Sequence, residues 1–152
     1  MNGYYVTKRG IFVKTLIAVR GVANRGKSDS IKKAYKLLVD AYPAAVVEKF
    51  VFRADIKIIV TIKGVKVGIE SQGDPTDRLP ESLRYFAEAG CKVIICATRT
   101  RGETVDAVND LSSQYDIEWI EKSEEPDAQK KESANRAVAQ EIFEKTQSAI
   151  DA

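Results

Sequence analysis

The sequence predicts one α/β domain on a mostly parallel sheet with one antiparallel hairpin strand. Three observations predict it. Strand-like and helix-like segments alternate along the chain. Residues 91–97 (CKVIICA) are apolar almost throughout, as a strand covered on both faces must be. Residues 56–70 read as two strands about a Lys63-Gly64 turn. A length of 152 residues suits one domain and leaves no room for two ordinary ones. With 44% hydrophobic and 30% charged residues, the composition is globular rather than disordered.

Residues 1–13 precede the first element. Residues 14–20 (KTLIAVR) read as a buried strand. Residues 28–42 follow as a helix with Ile31, Ala34, Tyr35, Leu38 and Tyr42 on one face, ended by Pro43. Residues 43–55 are ambiguous: Phe50, Val51 and Phe52 make a short strand or pack a loop. In the hairpin, facing residues have numbers that sum to 127. Ile62 then faces Val65, Val60 faces Val67 and Ile58 faces Ile69, six apolar residues on one face. On the other face Lys57 lies opposite Glu70 and offers it an ion pair.

Residues 71–79 read as a polar loop. Pro80 opens a short helix with Leu83, Phe86 and Ala87 inward and Gly90 at its end. Beyond the strand 91–97, Thr100 and Glu103 fit a capping box. Val105, Val108, Leu111 and Tyr115 then carry a helical period. Residues 117–120 are a short strand and 123–126 a polar break. A last helix spans 127–150, with Ala134, Val138 and Ile142 spaced four apart; its weak amphipathicity predicts loose packing on the sheet.

Several function classes are excluded. Histidine is absent, so no histidine base or ligand exists. Cys91 and Cys96 are too few for a disulfide framework or a four-cysteine zinc site. On one strand they would stand about 16 Å apart, which predicts two buried hydrophobes rather than a bridge. No apolar stretch reaches the ~18 to 20 residues of a membrane span, and the start lacks a signal peptide's apolar region. The expectation is a soluble cytoplasmic protein with no membrane partner. Net charge is only +2, yet residues 1–66 hold 14 Lys/Arg against 4 Asp/Glu, and residues 67–152 hold 10 against 18. The basic half either faces phosphates or faces the acidic half in the fold, and the second reading is favoured.

One segment stands above this background. Residues 21–28 (GVANRGKS) match G-x-x-x-x-G-K-[ST] in full, between an apolar strand and an amphipathic helix. Gly21 and Gly26 would let the backbone wrap an anion through positive φ. Inward N–H groups and the dipole of the next helix would bind phosphate oxygens. Lys27 would put a cation on the β- and γ-phosphates, and the Ser28 hydroxyl would ligate Mg²⁺. The candidate nucleotide-binding residues are Gly21, Val22, Ala23, Asn24, Arg25, Gly26, Lys27, Ser28 and Asp29.

In these residues the chain resembles the P-loop NTPase superfamily. The resemblance is specific over residues 15–42. It implies a three-layer P-loop NTPase-like sandwich and a nucleoside triphosphate with Mg²⁺. The element order is similar to that of the small GTPases, with Glu70-Ser71-Gln72-Gly73 where that family has an acidic residue followed two places later by glycine. The guanine-reading N-K-x-D motif is missing after residues 117–120, and residues 43–55 hold no threonine for a metal-sensing switch. ATP is therefore preferred over GTP.

Such a site needs a carboxylate near the metal, at or past the end of a strand. Glu70 and Asp74 qualify as metal and catalytic acids. Arg99 and Arg101 follow the strand 91–97 and are candidate stabilisers of charge on the transferred phosphoryl group. Arg25 and Arg78 are weaker candidates. Asp55 can be read as a base for an acceptor hydroxyl or as a turn residue, and the second reading is favoured. The leading expectation is a small Mg²⁺-dependent ATP hydrolase, with a protein partner or a second copy completing the site. The alternatives are a small-molecule or nucleoside kinase and a nucleotide-responsive regulatory module. Nucleic-acid binding has only the basic first half in its favour, because aromatic residues do not interleave with the charges.

Overall fold

A computed structural model describes residues 13–22, 26–52, 55–73 and 78–152. Ten elements follow in order: β1 (Thr15–Arg20), α1 (Gly26–Ala41), β2 (Val46–Phe52), β3 (Asp55–Ile62), β4 (Val65–Glu70), α2 (Arg78–Glu88), β5 (Val93–Thr98), α3 (Glu103–Asn109), β6 (Asp116–Glu121) and α4 (Ala128–Asp151). The strands form one six-stranded sheet in the order β2-β3-β4-β5-β1-β6. β3 alone runs against the rest, pairing antiparallel with both β2 and β4. β4, β5, β1 and β6 are parallel to one another.

Helices cover both faces. α1 and α4 bury Ile31, Ala34, Leu38, Ala139 and Ile142 against Ile17, Val19, Ile58, Val60, Val67, Ile69 and Ile95. α2 and α3 bury Leu79, Leu83, Phe86 and Val108 against Leu16, Ala18, Ile59, Ile94 and Cys96. Alternate residues of β1 and β5 thus serve opposite cores, which is why residues 16–19 and 93–97 are apolar throughout. Gly68 lets α2 come close: the Phe86 ring occupies the place where a Cβ at that position would stand.

The hairpin register is as expected, with Ile62 opposite Val65, Val60 opposite Val67 and Ile58 opposite Ile69. Lys63 (φ 53°) and Gly64 (φ 80°) both take the left-handed conformation that a tight two-residue turn requires. Within the ambiguous stretch 43–55, Val46–Phe52 form β2, an edge strand whose Val46 is 64% exposed. Gly90, at φ 84°, closes α2.

Three local expectations change. The Thr100–Glu103 capping box does not form; Gly102 (φ 94°) is the N-cap residue, without a side-chain cap. The Thr104 hydroxyl instead accepts from the Arg99 N–H at 2.9 Å. α3 ends at Asn109, and Leu111 and Tyr115 reach the core from the turns that follow. α4 is not loosely held: Ala139, Ile142 and Thr146 are fully buried. Its buried stripe includes Asn135 and Thr146, so the sequence understates its inner face; Thr146 satisfies its hydroxyl on the Ile142 carbonyl at 2.7 Å.

The two charge halves meet across the surface, in Arg20–Glu121 (2.6 Å), Lys33–Glu132 (3.0 Å) and Lys63–Asp151 (3.7 Å). Both cysteines are free and buried. No helix among the described residues is long and apolar enough to cross a membrane.

Candidate functional site

Parallel strands deliver the loops that follow them to one edge of the sheet. β1, β4, β5 and β6 end at that edge with Arg20, Glu70, Thr98 and Glu121. β3 runs the other way, so it begins there, with Asp55.

Lys27, in the first turn of α1, is 3% exposed. Its Nζ donates to the Gly21 carbonyl at 2.7 Å and the Thr98 carbonyl at 2.8 Å. The Thr98 carbonyl also accepts from the Gly21 N–H at 3.2 Å. The ammonium is thereby held over the ends of β1 and β5, where the segment 21–28 leaves the sheet.

Gly21 is needed for a reason other than the expected one. It is not among the glycines with positive φ. A Cβ there would lie 2.5 Å from the Lys122 carbonyl oxygen, so close approach of two backbones demands glycine. Lys122 is drawn in by its N–H, which donates to the Arg20 carbonyl at 2.8 Å. Val22 is 44% exposed. Ala23, Asn24 and Arg25 lie outside the described residues. Gly26 starts α1, and its carbonyl accepts from the Ser30 hydroxyl at 2.7 Å. Asp29 is exposed in the first turn, a favourable place for an acid.

The Ser28 hydroxyl meets Asp55, its Oγ donating to Oδ1 at 3.0 Å. The Ser71 hydroxyl donates to the same oxygen at 3.1 Å. Ser71 is fixed in turn by Ile56: the Ile56 N–H donates to its Oγ at 2.9 Å, and its own N–H donates to the Ile56 carbonyl at 3.0 Å. Among the described residues, Asp55 is thus the acid whose side chain bonds Ser28 of the glycine-lysine-serine segment. Sequence reasoning weighed it only as a base or a turn residue. The signal was present in the hairpin register, because extending the sum of 127 puts Asp55 opposite Gln72, beyond Glu70 and at the loop edge.

Glu70 has different company. It is fully buried, and Lys57 stands opposite it in the ladder without pairing with it. Its Oε1 accepts from Arg78 Nε at 2.9 Å and from the Ser82 hydroxyl at 2.7 Å. Its Oε2 accepts from the Gln72 N–H at 3.0 Å and lies 2.9 Å from Arg78 Nη2. Both oxygens therefore bind α2 and the loop leading to it. Lys57 lies over the Tyr85 ring at 4.8 Å and near Phe50 at 5.7 Å. Asp74 falls outside the described residues.

Arg99 follows Thr98 directly and is half-buried, while Arg101 is exposed. Gly73 presses on the end of β5, where a Cβ would sit 2.9 Å from that of Ala97. At the far side of the edge, Arg20 lies over the Trp119 ring at 4.3 Å and pairs with Glu121, which raises its pKa. The edge thus assembles Lys27, Ser28, Asp55, Ser71 and the start of the 99–102 loop. Among the described residues no group of three or more Cys, Asp or Glu side chains is placed to hold a metal ion unaided. Compared with protein-family models, with curated proteins and with solved structures, the chain matches none.

Proposed function

We propose that the chain is a Mg²⁺-dependent, ATP-binding P-loop protein that hydrolyses ATP, with the triphosphate held by residues 21–28. The observation that carries this reading is the Ser28–Asp55 contact beside the buried Lys27 ammonium. A serine that donates its proton to a carboxylate turns its lone pairs outward, as a metal ligand must. The oxygen donors of Ser28, Asp55 and Ser71 suit a hard cation that keeps several waters and also takes phosphate oxygens. Mg²⁺, when bound, would neutralise charge on the β- and γ-phosphates.

The chain's own groups do the rest. The start of α1 offers free N–H groups and a positive dipole to an anion. Lys27 supplies a fixed cation, and a phosphate would compete for its protons with the Gly21 and Thr98 carbonyls. Asp55, steadied by Ser71, orients the Ser28 hydroxyl. Arg99 and Arg101 are proposed to meet charge developing on the phosphoryl group, and Asp74 to orient the attacking water. Catalysis would rest on positioning and electrostatics. Asp55 is already engaged by two hydroxyl donors on one oxygen, which favours a metal-positioning role over an acceptor base and so favours hydrolysis over transfer to a small acceptor.

The test is calorimetric titration of ATP with and without Mg²⁺, beside a phosphate-release assay. Wild type should bind ATP with Mg²⁺ and release phosphate; Lys27→Ala should lose at least tenfold in affinity. Unaltered binding in Lys27→Ala would remove the basis of the proposal.

A further inference from the structure

Arg99 lies in the loop that leaves β5, yet both polar groups of its backbone are held by side chains. Its N–H donates to the Thr104 hydroxyl at 2.9 Å, and its carbonyl accepts from the Thr98 hydroxyl at 2.8 Å. Both threonines are buried, Thr98 completely and Thr104 to 1% exposure. The Thr98 carbonyl in turn accepts from the Lys27 ammonium at 2.8 Å and from the Gly21 N–H at 3.2 Å. A continuous set of bonds therefore runs from Lys27, through the last residue of β5, to the first turn of α3. Thr104 reaches backwards along the chain to close it, while Gly102, the N-cap residue of the same helix, gives no side-chain cap. Arg101, two residues on, is exposed. Of the two arginines of this loop, Arg99 is the one whose backbone is fixed relative to Lys27.

We propose that Thr104 is a positioning residue for the phosphoryl step: it holds the Arg99 peptide so that this arginine, rather than Arg101, meets the charge that develops there. The inference rests on the hydrolytic reading given above. A guanidinium stabilises a transition state best when it stands in place before the charge appears. Arginine is long and rich in rotamers, so where its side chain can reach is set first by where its backbone is pinned. A buried hydroxyl pins it at one point, and a misplacement of ~1 Å is enough to cost roughly a hundredfold in rate. Thr104 acts on the loop and not on residues 21–28, so its loss should spare binding of the triphosphate.

The test is a phosphate-release assay beside calorimetric titration of ATP with Mg²⁺, both on the full chain. Thr104→Val keeps the shape and removes the acceptor; kcat should fall roughly tenfold or more, with ATP affinity unchanged. Thr104→Ser keeps the hydroxyl and should keep most of the rate. A role in packing alone predicts the opposite order, since serine lacks the buried methyl group. In an Arg99→Met background Thr104→Val should cost nothing further, because the two residues act as one unit. Thr98→Val, which releases the other side of the same peptide, should slow phosphate release in the same Arg99-dependent way, and it serves if Thr104→Val does not fold. Wild-type kcat in Thr104→Val, a Thr104→Ser chain as slow as Thr104→Val, or losses that add to those of Arg99→Met would overturn the role of Thr104. Phosphate release by wild type alongside any of those results leaves the hydrolytic reading standing. A wild type that binds ATP and releases no phosphate removes both.

Discussion

Ser28 and Asp55 stand 27 positions apart in the chain and 3.0 Å apart in space, hydroxyl to carboxylate. The contact exists because β3 runs against its neighbours and begins where they end. It separates the two acids of the hairpin: Asp55 touches the serine, and Glu70 braces α2.

Asp55→Asn keeps the shape of this contact and removes its charge. We expect the Mg²⁺ concentration for half-saturation of ATP binding to rise about tenfold, near 1.4 kcal/mol. ATP binding without metal should change little. Magnesium titrations at fixed ATP check this, and an unchanged midpoint would count against Asp55 as a metal-side residue.

Glu70 and Arg78 should behave as structural partners. Arg78→Met strands a fully buried carboxylate and should cost about 3–5 kcal/mol, seen as a lower urea midpoint. Glu70→Gln keeps an acceptor for Ser82 and should lower stability by less. Its Mg²⁺ midpoint should match wild type. A large shift there would return Glu70 to the metal.

Gly21→Ala would force a methyl group against the Lys122 carbonyl. Backbone must move, at about 1–3 kcal/mol. Since the strain falls between residues 21–28, proposed to hold the triphosphate, and the 122–125 link, both ATP affinity and melting temperature should drop. A variant with wild-type melting would contradict the close approach.

The thiols set an alkaline limit. Burial pushes Cys91 up to about 12 from 9.0, and it raises Cys96 as well. Above pH 9 the unfolded chain releases these protons while the folded chain keeps them. Stability therefore falls as pH rises from about 9 towards 12, by up to about 4 kcal/mol for Cys91 at ~1.4 kcal/mol per pH unit. Cys91→Ala should flatten that slope relative to wild type in urea melts at pH 8, 9 and 10. Both thiols should also resist alkylation at neutral pH until the chain unfolds.

Much of the fold was legible because local rules and tertiary packing agreed. The hairpin was specified twice, by six apolar residues on one face and by a Lys63-Gly64 turn. Residues 91–97 could be buried on both faces only in a sheet interior. β2 was harder, since an edge strand with exposed Val46 needs no full apolar pattern. α3 misled because Thr104 serves the Arg99 N–H, which no spacing rule encodes. At the candidate site, the pattern of residues 21–28 stands out in the sequence, whereas Asp55 does not. Its importance comes from strand direction and register, relations between distant segments rather than properties of a neighbourhood.

Ser71 has two duties at once. It clasps the open mouth of the hairpin through Ile56, and it steadies the carboxylate that reaches Ser28. Fraying of those strand ends would free the acid in the same motion. Deuterium uptake at the Ile56 amide should then act as a clock for the site, slowing whenever a cation locks the carboxylate in place.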